Sequence, residues 1–308
     1  MKDHLFFKAI KYFSDPTYRF IINDGLGLYR NMDDKKYLEK KFAVKNGYPL
    51  NLSNPKTFNE KIQWLKLYDR RDIYTIMVDK YAAKSYASQR IGDEYIIPTL
   101  GVWERPEDID FSILPNQFVL KVTHDSGGLV ICKDKRSIDV DEIRTKMRVS
   151  LSRDYYIIHR EWPYKNVPKR IIAEKYMEDN QTQELRDYKF FCFSGEPKAL
   201  YIAQDRQKDE ETKFDFFDMD FQHLPFTNGH PNASVLPLKP INFELMKELA
   251  RKLSENIPQV RVDFYEVNGK VYFGELTLSH MSGLAPFDPF EWDEIFGSWI
   301  TLPEKKDI

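Results

Sequence analysis

The sequence predicts an α+β fold with a helical N-terminal extension. Apolar residues recur at helical spacing over residues 5–20 and again over residues 58–68. Two hairpin signals follow much later, at Ser194-Gly195 and at Asn268-Gly269, each between runs of β-branched and aromatic residues. Between these regions, residues 118–128 read as a strand that runs into a pair of glycines.

The remaining elements follow from periodicity and turn chemistry. We predict further helices over residues 33–47, 78–90, 139–151 and 243–256. We predict strands over residues 96–103, 118–123, 129–132, 170–177, 188–193, 199–203, 260–266 and 271–278. Residues 207–239 are expected to be rich in loops.

The composition indicates a globular protein without bulk affinity for nucleic acid. Hydrophobic residues make up 42% of the 308 residues, and 46 basic side chains nearly balance 48 acidic ones. The two cysteines, Cys132 and Cys192, have no CxxC partner, so we expect no metal or disulfide framework and a reducing compartment. No run approaches the roughly 20 apolar residues of a membrane span, and no signal peptide is visible. We therefore expect a cytoplasmic protein, whose first helix either lies on the inner face of the membrane or packs against protein.

The stretch from Phe118 to Gly128 is a candidate phosphate site. Lys121 sits in the predicted strand, and the loop His124-Asp125-Ser126-Gly127-Gly128 follows it. Adjacent glycines allow positive φ, and successive backbone N–H groups can cradle an anion. The alternative is an ordinary hairpin turn preceded by a lysine whose ammonium reaches solvent.

The hairpin around Asn268-Gly269 brings charged residues together. A two-residue loop, which Asn-Gly favours, would pair Glu275 with Val262. A three-residue loop with a bulge would instead pair Asp263 with Glu275 and leave the apolar side chains on one face. Because a clean apolar face is the stronger constraint on register, we predict the second arrangement.

Two carboxylates held side by side repel each other unless a cation lies between them. That cation could be Mg²⁺, which prefers oxygen ligands and commonly also binds nucleotide phosphates. It could equally be Arg261, which would then form a structural salt bridge with Asp263 and Glu275.

Several motifs, taken in order, resemble the ATP-grasp ligases, and within them the type tied to teichuronopeptide and capsular polysaccharide biosynthesis. The resemblance covers residues 33–283. It rests on N-P-K-T-F-N-E-K-I-Q-W-L-K-L-Y-D-R (54–70), E-W-P-Y (161–164), A-E-K-Y (173–176), D-Y-K-F-F-C-F (187–193) and F-G-E-L-T (273–277). It implies two α+β lobes that clamp ATP, divided as a helical region over 1–75, an N-terminal lobe over 76–177 and a C-terminal lobe over 178–308.

The resemblance also implies an ATP site. Two lysines would reach the phosphates, the Ser-Gly-Gly loop would cover them, and the end of the strand at residue 174 would contact adenine. Its residues would be Lys80, Lys121, Ser126, Gly127, Gly128, Glu174, Lys175, Tyr176, Met177 and Asp187, with Lys84 as a second candidate for the first lysine.

For chemistry, the resemblance implies Lys121, Lys189, Arg206 and Arg261 as catalytic cations. It implies Asp263, Glu275 and Thr277 as the magnesium ligands. Thr277 stands where many ATP-grasp enzymes have asparagine, and a hydroxyl is a weaker metal ligand than an amide carbonyl.

The function implied is ATP-dependent ligation of an amine or amino acid to a carboxylated sugar through an acyl phosphate. The alternatives are a glycosyltransferase of the same biosynthesis, for which Asp218-Met219-Asp220 is a weak signal, and a nucleotide-binding module without catalysis. The aromatic segment at residues 155–168 either lines a cleft or packs as a lid. Within it, His159, Arg160 and Tyr164 are candidates for the acceptor site.

Overall fold

The computed structural model of the protein describes residues 2–180, 185–204 and 211–305. Ten helices occur in these ranges: α1 Lys2–Ser14, α2 Pro16–Gly25, α3 Asp34–Asn46, α4 Phe58–Tyr68, α5 Asp72–Val78, α6 Ala82–Ile91, α7 Val140–Ser152, α8 Tyr155–His159, α9 Phe243–Ser254 and α10 Glu291–Trp299. The strands of the same ranges are β1 Thr99–Trp103, β2 Phe118–Val122, β3 Leu129–Cys132, β4 Ile171–Lys175, β5 Asp187–Phe193, β6 Glu196–Gln204, β7 Lys213–Asp218, β8 His223–Leu224, β9 Thr227–Asn228, β10 Val260–Val267, β11 Lys270–Thr277 and β12 Phe287–Asp288.

Two antiparallel sheets organise the described part of the chain. The smaller sheet has the order β1-β4-β2-β3, and the larger one has the order β11-β10-β5-β6-β7-β8. Strands β9 and β12 form a short separate pair. The α+β class predicted from the sequence is confirmed.

The large sheet has a hydrophobic core on each face. On one face, side chains of β5, β6, β10 and β11 pack against α5, α6 and α9. On the other face, aromatic residues of β5, β6 and β7 pack against α4 and α10. Alternate residues of a strand point to opposite faces, so Phe190 enters the first core and Phe191 the second.

The small sheet packs on α7, with Leu120 and Met147 fully buried between them. The glycine loop between β2 and β3 is held close to this helix. A Cβ at Gly128 would lie 2.4 Å from Cγ2 of Val122 and 3.0 Å from Cβ of Ser150, so a larger residue does not fit there.

The N-terminal helices form their own small core, which α4 connects to the rest of the molecule. A capping box starts α4: the Thr57 hydroxyl accepts from the Glu60 backbone N–H, and the Glu60 carboxylate accepts from that of Thr57. This explains the Thr-Phe-Asn-Glu part of the motif at residues 54–70.

The structure corrects one detail of the predicted organisation. Residues 207–239 were expected to be rich in loops, yet 213–218 form β7, because Phe214, Phe216 and Phe217 are all buried in the sheet. The apolar side chains of α6 pack on the large sheet. The division into lobes at residues 75 and 177 stays a prediction.

Candidate active site

The hairpin β10–β11 carries a bulge that sets its register. Its loop is the two-residue Asn268-Gly269, with φ of 51° and 72°, as a type I′ turn requires. The register shifts by one residue between Phe264, which pairs with Phe273, and Asp263, which pairs with Glu275. The predicted pairing of the two acids is therefore confirmed, whereas the three-residue loop is wrong.

The extra residue of the shift is Gly274. An ideal Cβ there would lie 3.0 Å from the backbone oxygen of Asp263, which is closer than most real side chains come. The bulge compensates for the short loop, so Val262 and Leu276 both face the core while the charged residues share the other face.

Arg261 lies at the centre of that charged face. Its Nε and Nη2 atoms donate to the two oxygens of Asp263, each at 2.7 Å. Nη2 also lies 3.2 Å from Oε1 of Glu275 and 3.0 Å from Oγ1 of Thr277. The structure thus places Arg261 between the two acids, and the Thr277 hydroxyl accepts from the guanidinium.

Lys189 approaches the same acids from β5. Its ammonium forms ion pairs with Asp263 and, at 3.2 Å, with Asp187. Burial would raise the pKa of Asp263, but Arg261 and Lys189 outweigh it and hold that pKa below its usual value. The Asp263 carboxylate is 1% exposed, whereas that of Glu275 is 41% exposed. Glu275 is thus the acid that faces the cleft.

On the small sheet, Glu174 joins two lysines. Its two oxygens lie 2.6 Å from the ammonium groups of Lys84 and Lys121. Lys84 is also held by the Ile97 carbonyl at 2.7 Å. Burial would raise the pKa of Glu174, but the two lysines lower it. The side chain of Glu174 therefore aligns the lysines, and only the backbone beyond it remains for an adenine contact.

That backbone lies at the end of β4. Lys175 is exposed and donates its N–H to the Pro98 carbonyl at 3.1 Å, while Tyr176 and Met177 are half-buried just beyond the strand. The Lys133 ammonium lies 5.9 Å from the ring centre of Tyr176.

Lys80 supports the glycine loop. Its ammonium donates to the Asp125 carbonyl at 2.6 Å, and its N–H donates to the Thr123 carbonyl at 3.1 Å. Ser126 and Gly127, with Gly127 at φ 103°, form the exposed tip. Lys80, which was predicted to reach a phosphate, therefore also supports the glycine loop that was predicted to cover the phosphates.

Two lysines, Lys121 of the small sheet and Lys80 in the turn before α6, face the acids of the large sheet. Burial would lower the pKa of Lys121, but Glu174, Glu275 and Asp187 together raise it. Burial lowers the pKa of Lys80, against the opposing charge of Glu275. The charge of Glu275 thus acts on both lysines and that of Asp187 on Lys121, which indicates that these four side chains line one cleft.

The aromatic segment at residues 155–168 lines part of this cleft. The rings of Tyr155 and Tyr164 lie 4.6 Å apart. Burial raises the pKa of Tyr164, and Glu161, Tyr155 and Glu275 add to the effect. Tyr164, a predicted acceptor residue, therefore lies beside the charged face.

The other two predicted acceptor residues have different positions. Arg160 is buried, lies 3.3 Å from Asp34 and donates to the Tyr29 carbonyl at 2.9 Å, so it ties this segment to the N-terminal helices. His159 is half-buried, and its Nδ1 has no hydrogen-bond partner.

Sequence reasoning missed a left-handed turn after β11. Met281, Ser282 and Gly283 have φ of 45°, 59° and 61°. The Ser282 carbonyl accepts from Nε2 of Gln63 at 3.0 Å and from the Lys66 ammonium at 2.6 Å. The only sequence signal for these contacts was that Gln63 and Lys66 are polar and lie three residues apart on one face of α4.

Lys66 and Glu161 are both buried beside that turn. Each is 4% exposed, and burial lowers the pKa of Lys66 to about 7 against the opposing charge of Glu161. Burial raises the pKa of Glu161, against the charges of Lys66 and Arg261. The pair therefore connects α4 to the charged face.

His280 was also missed. Its Nδ1 lies 2.9 Å from Nη1 of Arg261, and its Nε2 lies 3.0 Å from Oδ1 of Asn228. Burial and the neighbouring cations Arg261 and Lys189 hold the pKa of His280 well below its usual value, so the ring is neutral. The His280 ring therefore holds the Arg261 guanidinium in position through Nδ1.

The side chains around the cleft fit the phosphates of a nucleotide, and they offer one carboxylate for a divalent cation. Lys84, Lys121 and the exposed tip at Ser126-Gly127 suit a polyphosphate. Mg²⁺ usually takes one or two carboxylates and completes its shell with phosphate oxygens and water. Glu275 offers such a carboxylate, while both oxygens of Asp263 already bind cations. Among residues 2–180, 185–204 and 211–305, no group of three acidic, histidine or cysteine residues could hold a metal by itself.

Two further predictions concern Arg206 and the Asp218-Met219-Asp220 triplet. Arg206 falls outside the described residues. Asp218 of the Asp-Met-Asp triplet accepts the backbone N–H groups of Asp220 at 2.9 Å and Gln222 at 2.8 Å, so its carboxylate stabilises the turn after β7. The triplet therefore has a structural use and gives no support to a nucleotide-sugar site.

The fold and this cleft agree with the family comparison. Residues 60–301 match the family described as TupA-like ATPgrasp. The chain belongs to this family, and the resemblance inferred from the sequence is confirmed.

Solved structures similar to the chain are distant. The D-alanine–D-alanine ligase of Bacillus anthracis in complex with ATP shares 16% identity at a TM-score of 0.40, over 66% of this chain and 55% of that chain. The RimK domain ATP-grasp protein of Sphaerobacter thermophilus shares 10% identity at a TM-score of 0.42, over 76% of this chain and 70% of that chain. Biotin carboxylase of Campylobacter jejuni shares 13% identity at a TM-score of 0.42, over 74% of this chain and 48% of that chain. The chain thus spans about half the length of the first and third, and no curated protein matches it.

Proposed function

We propose that the protein is an ATP-dependent carboxylate–amine ligase. The observation that carries this proposal is the pair of charged walls: Glu174 lies 2.6 Å from Lys84 and Lys121 on the small sheet, and Asp263 pairs with Glu275, whose charge acts on Lys121, on the large sheet. Cations on one wall and acids on the opposite wall suit a triphosphate and the divalent cation that accompanies it.

The reaction has two steps. A substrate carboxylate oxygen bonds to the γ-phosphorus while the bond to the β–γ bridging oxygen breaks, which releases ADP and leaves an acyl phosphate. The amine then attacks the acyl carbon, inorganic phosphate leaves, and the amine loses a proton to a base. A carboxylate is a poor electrophile, so the first step is what makes the second one feasible.

The protein contributes position and charge to these steps. Lys121, aligned by Glu174, neutralises the phosphates, and the loop at Ser126-Gly127 covers them. Arg261, fixed by Asp263 and His280, neutralises the oxygen that gains charge at the acyl group. Lys189 keeps Asp263 ionised and therefore keeps Arg261 in place.

Mg²⁺ would be held by Glu275 and by the nucleotide, because both oxygens of Asp263, the other predicted carboxylate ligand, are occupied by Arg261. When bound, the ion supplies further neutralisation of phosphate charge. The Thr277 hydroxyl is engaged by Arg261, so we assign it to positioning and not to the metal.

For the substrates, we propose a carboxylated sugar as the acid and an amino acid or amino sugar as the amine, in surface polysaccharide biosynthesis. Support comes from the family and from the polar cleft beside Tyr164. No nucleic acid partner is proposed.

The test is ADP release in the presence of Mg²⁺ when glucuronate or galacturonate is paired with glycine, L-alanine, L-glutamate or glucosamine. Lys121→Ala should abolish the activity and weaken ATP binding, while Lys146→Ala, an exposed lysine of α7, should change neither. Unchanged ATP binding in Lys121→Ala would overturn the proposal. ATP binding that depends on Lys121, but without turnover on any pair, would indicate a nucleotide-binding module instead.

We also propose that α1 and α2 contact the inner face of the membrane. Phe7 and Phe13 are 70% and 76% exposed, and Leu26 is 70% exposed, with lysines between them along α1. Within residues 2–180, 185–204 and 211–305, no helix is long and apolar enough to cross a bilayer. Sedimentation with phosphatidylglycerol vesicles, lost in Phe7→Ser/Phe13→Ser, would support the contact, and absence of sedimentation of the wild type would refute it.

A further inference from the structure

The N-terminal helices anchor the aromatic segment that lines the cleft. The Ile158 carbonyl accepts from the Lys41 ammonium of α3 at 2.6 Å. The buried Arg160 guanidinium donates to the Tyr29 carbonyl at 2.9 Å. Arg160 also has a φ of 53°, a left-handed conformation that residues other than glycine rarely adopt. Contacts that hold the backbone in an unfavourable conformation indicate a function for the side chains that it positions.

Glu161, the residue after this left-handed position, carries a buried carboxylate. It is 4% exposed, and within residues 2–180, 185–204 and 211–305 no cation forms an ion pair with it. The Ser282 hydroxyl, which accepts from the Lys66 ammonium at 2.7 Å, is its hydrogen-bond neighbour. At least one of the Glu161 oxygens remains without a partner and open to solvent. An ionised carboxylate in such a place is costly unless a cationic ligand approaches it.

Two tyrosine hydroxyls lie beside this acid. The rings of Tyr155 and Tyr164 are half-buried, with their centres 4.6 Å apart. In the part of the chain that the structure describes, neither hydroxyl has a hydrogen-bond partner, and neither is closed off from solvent. Burial raises the pKa of both tyrosines, and the charge of Glu161 adds to the effect in each case. Both hydroxyls therefore stay protonated and offer an oxygen acceptor as well as a donor.

The charges around the two hydroxyls favour a cationic ligand. Three acids add to the effect of burial on the pKa of Tyr155 and one cation opposes them, the acids being Glu161, Glu275 and Asp125 and the cation Arg261. The faces of tyrosine rings also attract an ammonium group. A carboxylate would be repelled by this set of acids, whereas a primary ammonium can donate to the Glu161 carboxylate and to a tyrosine oxygen. The ligand class that fits is therefore a primary amine in its charged form.

The turn after β11 connects this acid to the site of the acyl group. Ser282 meets Glu161, and two residues earlier Nδ1 of His280 lies 2.9 Å from Nη1 of Arg261. Arg261 is the cation that the proposed reaction places at the acyl oxygen. An amine held by Glu161 is therefore close to the carbon that it has to attack.

We propose that Tyr155, Tyr164 and Glu161 form the site of the amine substrate, and that the Glu161 carboxylate is the base that takes a proton from its ammonium group. The lone pair freed on nitrogen bonds to the acyl carbon, the bond from that carbon to the phosphate oxygen breaks, and a second nitrogen proton leaves with inorganic phosphate. Burial raises the pKa of Glu161, which suits proton transfer near neutral pH. The proposal deepens the ligase function and rests on it for the acyl phosphate.

The first test compares two nucleophiles in Glu161→Gln. Hydroxylamine is uncharged at neutral pH and converts an acyl phosphate to a hydroxamate without a base, whereas an ammonium group must first lose a proton. With ATP, Mg²⁺ and glucuronate or galacturonate, the variant should form hydroxamate at the wild-type rate. Its amide formation with glycine, L-alanine, L-glutamate or glucosamine should fall by a factor of about 10²–10⁴.

The matched control is Glu248→Gln, an exposed acid of α9, which should change neither rate. A merely structural role of Glu161 would lower both rates together, and that result would overturn the proposal. Amide formation by Glu161→Gln at the wild-type rate would overturn it as well.

The second test measures binding of the same four amines by saturation-transfer NMR with ADP and Mg²⁺ present. The Kd of at least one amine should rise about tenfold or more in Glu161→Gln and stay unchanged in Glu248→Gln. Tyr155→Phe, which keeps the ring and removes the hydroxyl, should also weaken binding. Transfer to none of the four amines from the wild type, or equal binding by Glu161→Gln, would overturn the site.

The ligase and the amine site can fail separately. Absence of both ADP release and hydroxamate in the wild type would reject the ligase and with it the role of Glu161 as a base, while amine binding that depends on Glu161 would still support the site. Hydroxamate and amide formation that are both unaffected by Glu161→Gln would retain the ligase and reject the base.

Discussion

Nη1 of Arg261 lies 2.9 Å from Nδ1 of His280. Because arginine can only donate, Nδ1 must be the unprotonated nitrogen, and Nε2 carries the hydrogen that it donates to Asn228. One contact thus fixes the tautomer of the histidine, and the histidine in turn fixes one end of the guanidinium.

Replacing His280 with phenylalanine should destabilise the protein by about 2–4 kcal/mol. The ring packing against Phe191 would remain, but Nη1 of Arg261 and Oδ1 of Asn228 would lose a partner in a buried site, at about 1–3 kcal/mol each. Urea unfolding measures the change. His230→Phe is the control, since that ring packs at a tilt against Phe214, with centroids 4.3 Å apart, and the change should cost under about 0.5 kcal/mol. Equal effects of the two variants would contradict this account.

Lys66→Met should destabilise the protein by about 3–5 kcal/mol, because it leaves Glu161 buried without its cation and frees the turn at Ser282. Adding Glu161→Gln should recover part of the loss. A double-mutant cycle in urea should give a coupling above about 1 kcal/mol. Strictly additive losses would mean that the two side chains act independently.

Stability should fall in acid partly through His159. Burial lowers the pKa of His159 to about 3, so the folded protein resists protonation that the unfolded chain accepts below pH of about 6.5. The contribution is full above pH of about 6.5 and is lost as pH falls toward 3, at up to about 1.4 kcal/mol per pH unit.

Between pH 7.5 and 5, the wild type should therefore lose about 2 kcal/mol more than His159→Phe, as measured by urea unfolding at both pH values. The raised pKa of Asp293, about 6 through burial, acts in the opposite direction but is common to both proteins and cancels. Parallel pH curves for the two proteins would contradict the prediction.

Gly274→Ala should destabilise the protein by about 1–2 kcal/mol, because the new Cβ would crowd the Asp263 carbonyl at 3.0 Å. Gly25→Ala, where a Cβ would meet nothing within 4 Å, should be neutral or stabilising. Because the bulge pairs Asp263 with Glu275, ATP binding in the presence of Mg²⁺ should weaken in the first variant only. A neutral Gly274→Ala would mean that the strand can bulge elsewhere.

The hairpin shows how far the sequence could be read. Alternation of apolar and charged residues was enough to pair Asp263 with Glu275, because only that register keeps Val262 and Leu276 on one buried face. The location of the extra residue was not readable, since a three-residue loop and a bulge at Gly274 produce the same pairing. The structure uses the turn that Asn-Gly favours and places the irregularity at a glycine.

Local patterns could not show which partners the charged residues would choose. Glu174 was interpreted as an adenine contact, yet its carboxylate is shared by Lys84 and Lys121, which come from α6 and β2. The contacts of Lys66 with Ser282 and of Arg261 with His280 join segments that are far apart in sequence or separated by a turn. Such contacts depend on tertiary packing, and a single sequence carries no periodic signal for them.

The contacts of Gln63 and Lys66 with the left-handed turn have a consequence for exchanging parts between related proteins. A chimera that joins the two sheets of this chain to the N-terminal helices of a relative would replace Gln63 and Lys66 but keep the turn at Ser282 that these side chains hold. We expect such a hybrid to misplace the guanidinium unless the donor of the helices also supplies residues 280–283, so the two segments should be transplanted together.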